Sequence, residues 1–212
     1  MKLIGMLDSP FVRRTAISLH CLGVDFEHVS LSVFKDYETF QSFNPLVKAP
    51  TLLLNNEVRL VDSSLIVQYA ESVACKSLYR ANAQTFAQEL QIIGTASIAN
   101  EKTVQIVYEH EIRPADKLHE PWLVRVTEQL NSAFEQLERQ LTESPELFQP
   151  DSLNHASIST AVAWTFTQKM RPGLISPERF PALERWCSQA EQAEAFQRYP
   201  YDASMSGGRW NS

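Results

Sequence analysis

Apolar and polar positions change rhythm near residue 79 of this 212-residue chain. Before that point, short apolar runs alternate with amphipathic ones; after it, helical spacing dominates. Leu3 to Leu7 reads as a buried strand, and Phe26 to Leu31 alternates as a half-buried strand does. Between them Val12 to Leu22 is amphipathic, with Pro10 suited to the first helical turn and Gly23 to the stop. Lys35 to Phe43 is short and mixed, a turn of helix with loop. Thr51 to Leu54 and Val58 to Val61 are strands joined by Asn55-Asn56, a hairpin signal. Asp62-Ser63-Ser64 caps a helix through Leu65, Ile66, Tyr69 and Val73. The order β-α-β-α-β-β-α predicts a compact α/β domain with a mixed sheet over residues 1–79.

Arg80 to Ala83 is polar and linker-like, and residues 84–212 form an all-helical second domain. A long helical run spans Phe86 to His110, with Leu90, Ile93, Ile98 and Val104 as apolar positions, until Pro114 breaks it. Trp122 to Leu141 carries Leu123, Val126, Leu130, Phe134, Leu137 and Leu141 on one stripe. Ala156 to Lys169 is apolar nearly all round and therefore central. A fourth helix spans Pro181 to Ala195, and the tail from Ser204 to Gly208 is loop-like.

Composition narrows the class. The chain is 44% hydrophobic and 21% charged, enough to build a core without staples. A net charge of -6 offers no electrostatic footprint for nucleic acid. Cys21, Cys75 and Cys187 are odd in number and widely separated. This argues against a disulfide framework or a zinc site, and suits a reducing compartment. Cys21, inside the first amphipathic run, is expected to be a buried thiol. No apolar run is long enough to span a membrane, and Met1 to Gly5 runs straight into a strand without a signal-peptide core. The expected location is cytoplasmic. The five histidines show no ligand spacing, so no metal is expected.

The densest chemical signal is Ser9-Pro10-Phe11, a strand–turn–helix junction with a hydroxyl at its tip. Free N–H groups and partial positive charge at a helix N-terminus favour anions, thiolates included. Serine there is also an ordinary N-cap. Two further segments accompany it: Asn44-Pro45-Leu46-Val47-Lys48-Ala49-Pro50-Thr51-Leu52, with a proline ahead of a strand, and Asp62-Ser63 after the hairpin.

With the helical second half, these segments resemble the cytosolic glutathione transferase family over nearly the whole chain, in its bacterial members with a serine at the thiol site. The resemblance implies a thioredoxin-like first domain with a four-stranded mixed sheet. It also implies glutathione as cosubstrate rather than a tightly bound cofactor. Ser9 would donate a hydrogen bond to the glutathione thiolate while it attacks an electrophilic, mostly apolar small molecule. Pro50 would be cis, letting the backbone of Ala49 pair with the cysteinyl unit like an added strand. The family usually has a larger β-branched residue at Ala49 and often glycine at Val47. Lys48, and Lys35 in the loop after the second strand, would meet the glycyl carboxylate; both also read as solvated lysines. Ser63 would take the γ-glutamyl carboxylate and Asp62 its ammonium. Asn154 and Ser157 replace the Ser/Thr and aspartate with which the family opens its central helix, and serine is the weaker partner. Phe11, Tyr108, Arg113 and Trp164 are candidates for the electrophile pocket, although Phe11 and Trp164 also read as core and Arg113 as a helix end. A homodimer is implied. Two other readings stay open: a non-catalytic binding or regulatory protein, and a glutathione-dependent disulfide reductase or peroxidase.

Overall fold

The computed structural model describes residues 1–55, 58–80 and 82–202. Asn56 of the expected hairpin and the tail from Ser204 to Gly208 lie outside them. The first half runs β1 (Lys2–Ile4), α1 (Pro10–Leu22), β2 (Glu27–Val29), α2 (Tyr37–Phe43), β3 (Thr51–Leu53), β4 (Arg59–Val61) and α3 (Ser63–Ala74). The strands form one sheet in the order β2-β1-β3-β4. β1 pairs parallel with β2 and antiparallel with β3, and β3 pairs antiparallel with β4. Leu3 sits opposite both His28 and Leu52, so it lies mid-sheet and fully buried. This is the expected thioredoxin-like mixed sheet.

β1 stops at Ile4, three residues before the expected end, because Gly5 turns the chain at φ 137°. A side chain at Gly5 would meet a Val12 methyl at 2.6 Å and the Ala49 Cβ at 3.0 Å. Glycine thus lets the end of β1, the first turn of α1 and the loop before β3 converge. β2 is likewise shorter than the alternation suggested, covering Glu27–Val29. Cys21 is half-buried rather than buried, and burial still pushes its thiol up to about 11.

The second half is helical: α4 (Ala83–Glu111), α5 (Glu120–Glu143), α6 (His155–Met170), α7 (Pro181–Ala190) and α8 (Glu194–Arg198). The expected stripe of α5 is its inner face, with Leu123, Val126, Leu130, Phe134 and Leu137 all buried. α6 is central as expected, buried from His155 through Trp164. Asn154 and Ser157 close a full reciprocal capping box at its start, with each side chain accepting from the other's backbone N–H. Two expectations change. Leu90 and Ile98 of α4 face outward; the inner face uses Ile92, Ile93, Ala96 and Ala99, the alanines allowing close packing with α6. The expected fourth helix is two, α7 and α8, because the chain turns after Ala190.

That turn reaches back to the first half. Arg13 of α1 is 1% exposed and forms a bidentate pair with Glu191, its two Nη atoms donating at 2.7 and 2.6 Å. Its Nε donates to the Tyr199 carbonyl at 2.9 Å, and its guanidinium lies over the Phe196 ring. A buried guanidinium is tolerable only with its donors met, and the helical half supplies the acceptors.

Candidate active site

Arg13 lies one helical turn after Ser9, so this junction sets the helical half against the start of α1. Ser9 is the N-cap of α1, with extended backbone and Pro10 at the first helical position. Its Oγ accepts from the Val12 N–H at 3.5 Å. That contact uses an oxygen lone pair and leaves the hydroxyl proton to donate, so capping and thiolate binding are compatible.

A cleft of about 420 Å³ opens at this point. The sheet side of its lining comes from the loop after β1 (Met6, Asp8, Ser9), from Phe11, from the loop after β2 (Leu31 to Phe34) and from Leu46 to Ala49. The helical side comes from Val104, Val107 and Tyr108 of α4 and Phe166 and Met170 of α6. The two sides meet where the Phe34 and Tyr108 rings stand edge to face, with centroids 5.9 Å apart. Burial, and secondarily the charge of Asp8, raises the Tyr108 phenol above its ordinary range.

The structure gathers some of the sequence-derived residues here. Ser9, Lys48 and Ala49 line the cleft, and the Ala49–Pro50 bond is cis. Val47, in the same loop, takes φ 46°, a conformation that β-branched residues rarely adopt. Asn44 holds this loop, its amide donating to Thr51 Oγ1 and its carbonyl accepting from the Leu46 N–H. Asp62 and Ser63 stand at the start of α3, and Lys35 is exposed in the loop before α2; none of these three is among the lining residues, nor is Pro50. Asp62 caps α3 through Oδ1, which accepts from the Ser64 N–H at 2.8 Å, and does so at φ 72°. Strained backbone of this kind gathers at ligand-binding positions. Beneath it Arg14, almost wholly buried, reaches Ser64 Oγ at 3.1 Å.

Of the expected pocket residues, Phe11 and Tyr108 are present and two are corrected. Trp164 is 2% exposed and belongs to the core, donating to Glu184 and packing against Phe134. Arg113 pairs with Glu109 at the end of α4, away from the lining. The sequence reading missed Asp8, although its place directly before Ser9 was a signal. It also missed Val104, Val107, Phe166 and Met170, whose helical positions are indistinguishable from core without a fold. None of the three cysteines lines the cleft.

A thioredoxin-like sheet with a helix N-terminus opening on a cleft, and a helical half forming the far wall, defines the glutathione-transferase type of fold. Residues 3–75 match the family model described as "Glutathione S-transferase, N-terminal domain". The chain is 30% identical over 173 residues to the uncharacterized GST-like protein YibF of Escherichia coli K12, covering 77% of this chain and 80% of that protein. It therefore belongs to the cytosolic glutathione S-transferase family. A glutathione transferase family member from Pseudomonas fluorescens Pf-5, solved with bound glutathione, superposes with a TM-score of 0.82 at 25% identity, covering 95% of this chain and 98% of that one. The fold also matches a glutathione S-transferase from Methylobacterium radiotolerans in complex with glutathione sulfonate, at a TM-score of 0.82 and 22% identity, with 95% of each chain covered. Among the described residues, no helix is long and apolar enough to cross a membrane.

Proposed function

We propose that this protein is a glutathione transferase that activates the thiol of bound glutathione and joins its sulfur to an apolar electrophile. The observation that carries this reading is Ser9 at the N-cap of α1, on the lining of a cleft whose far wall is apolar. A free cysteine thiol has a pKa of about 8.5, so only a few per cent is thiolate at neutral pH. A hydrogen bond to a charged group contributes about 1.5–3 kcal/mol, and one pKa unit corresponds to about 1.4 kcal/mol. The Ser9 hydroxyl therefore lowers the thiol pKa by roughly one to two units, and the α1 N-terminus acts in the same direction. The sulfur lone pair then forms the new carbon–sulfur bond while a leaving group departs with its electron pair.

In this reading the peptide lies along Ala49, pairing with its backbone N–H and carbonyl. Lys48, with Lys35 further out, meets the glycyl carboxylate. Ser63 and the first N–H groups of α3 receive the γ-glutamyl carboxylate, and Asp62 its ammonium. The nucleophile is supplied by glutathione, consistent with cysteines that lie off the cleft and with a Cys187 thiol raised far above its ordinary range by burial. Three free cysteines suit a cytoplasmic setting. Residues 1–79 and 84–212 act as two domains with the reaction between them. We further propose a homodimer, supported by exposed Leu65 and Val73 on α3 and Phe86, Leu90 and Ile98 on α4; a monomeric mass by light scattering would overturn it.

Retention on immobilised glutathione, followed by conjugation to 1-chloro-2,4-dinitrobenzene, tests the function. The wild type is expected to do both, and Ser9→Ala to lose about ten- to a hundredfold in kcat/KM. Absence of glutathione binding overturns the transferase reading. Binding without turnover supports a non-catalytic binding protein instead. Unchanged turnover in Ser9→Ala removes Ser9 from the chemistry.

A further inference from the structure

We infer that Asp8 is a specificity-determining residue of the electrophile pocket, favouring substrates with a cationic or hydrogen-bond-donating group beyond the reacting carbon and disfavouring anionic ones. The inference rests on the transferase reading and extends it to the second substrate.

Asp8 directly precedes Ser9 and lines the same cleft. Among the described lining residues it is the one carboxylate, and the neighbouring helical wall offers Val104, Val107, Phe166 and Met170. Asp8 is half-buried, and among the described residues no ion pair engages its carboxyl. Among the described residues its carboxyl meets the backbone N–H groups of residues 8 and 9 and the like charge of Asp202. The titratable groups facing it are Tyr108 from α4, and Tyr201 and Asp202 from the segment after α8. Both phenols are held protonated, first by burial and then by the Asp8 charge, and Asp202 adds a like charge. Lys48 lines the same cleft and is assigned to the glycyl carboxylate.

A partly desolvated carboxylate without a cation is costly, and Asn or Thr would fill the position without that cost. An apolar pocket with one convergent polar group is the usual form of a small-molecule site, in which the polar group sets orientation and selectivity. With no ion pair to Asp8 among the described residues, the countercharge is the ligand's to supply. An anionic substituent would instead meet the Asp8 carboxylate, at a point where screening by water is reduced.

The test uses three ligands that share one S-benzyl core: S-benzylglutathione, S-(4-aminomethylbenzyl)glutathione and S-(4-carboxybenzyl)glutathione. Their affinities are measured by calorimetry for wild type, Asp8→Asn and Asp8→Glu. At pH 7.5 the wild type is expected to favour the ammonium over the carboxylate ligand by about tenfold. Asp8→Asn should bring the ratio to within about twofold, and Asp8→Glu should retain most of it. In the wild type the ratio should also shrink as pH falls below about 6, where Asp8 takes up its proton. A ratio unchanged in Asp8→Asn overturns the assignment of Asp8 alone. Failure of S-benzylglutathione to bind overturns the transferase reading and this inference with it.

Discussion

The sheet-side wall of the cleft is built from turns, whereas the helical wall is built from side chains on long elements. Ser9, Lys48 and Ala49 sit where the chain reverses, at a helix cap and beside a cis-proline, and their surroundings are local. Val104, Val107 and Tyr108 share one stretch of α4, and Phe166 and Met170 lie a turn apart on α6. Nothing in their own segments separates them from residues that face the core. The sheet side thus offers backbone and hydroxyl groups suited to a constant peptide, and the helical side offers apolar surface that can vary without altering the sheet. Asp8 belongs to the first wall by position and to the second by chemistry.

Breaking the junction between the walls should have the largest effect. Glu191→Ala leaves the buried Arg13 guanidinium without its carboxylate, and is expected to destabilise the fold by about 3–5 kcal/mol in denaturant unfolding. The double variant Arg13→Met with Glu191→Leu should lose much less, because no charge is stranded. Equal losses in the two variants would mean that apolar packing, not the ion pair, holds the halves.

Separating the walls functionally comes next. Tyr108→Ala removes aromatic surface from the helical wall only, and should weaken an apolar electrophile by about 1–2 kcal/mol, seen as a roughly five- to thirtyfold rise in its KM. The dissociation constant for glutathione alone should stay within about twofold. A parallel loss for glutathione would show that the walls are not independent.

The smallest effect concerns the residue shared by both walls. Burial pushes Asp8 up to about 6 from an ordinary 3.8, with hydrogen bonds from backbone N–H groups opposing the rise and Asp202 adding to it. The folded state therefore holds the proton longer than the unfolded one. Its contribution to stability is full below pH 3.8 and is lost as pH rises through about 6. Relative to wild type, Asp8→Asn should thus gain about 1 kcal/mol in thermal unfolding at pH 7.5 and gain little at pH 4. A gain independent of pH would place the effect in packing rather than charge.

How much was legible follows the same division. Pro10, Gly23 and the Asp62 cap announce their elements locally, because caps and turns are short-range chemistry. The α5 stripe was readable because one face alone is apolar. The outward Leu90 and Ile98 were not, since α4 carries apolar residues on more than one face. Trp164 was drawn toward the pocket by its chemistry, but packing placed it in the core against Phe134.

By itself the sequence determined the order of elements in residues 1–79, the α/β-then-helical division and a hydroxyl at a helix N-terminus, all set within a few residues of chain. Only the tertiary structure decided that Arg13 would bind Glu191, 178 residues away, and that Val104, Val107, Phe166 and Met170 would join Tyr108 on the cleft wall opposite Ser9. It also left Asp8 half-buried on the lining of that cleft, with no ion pair among the described residues. Those outcomes depend on how one helix packs against another, and a pattern of apolar positions shows that a face is buried without showing what it is buried against.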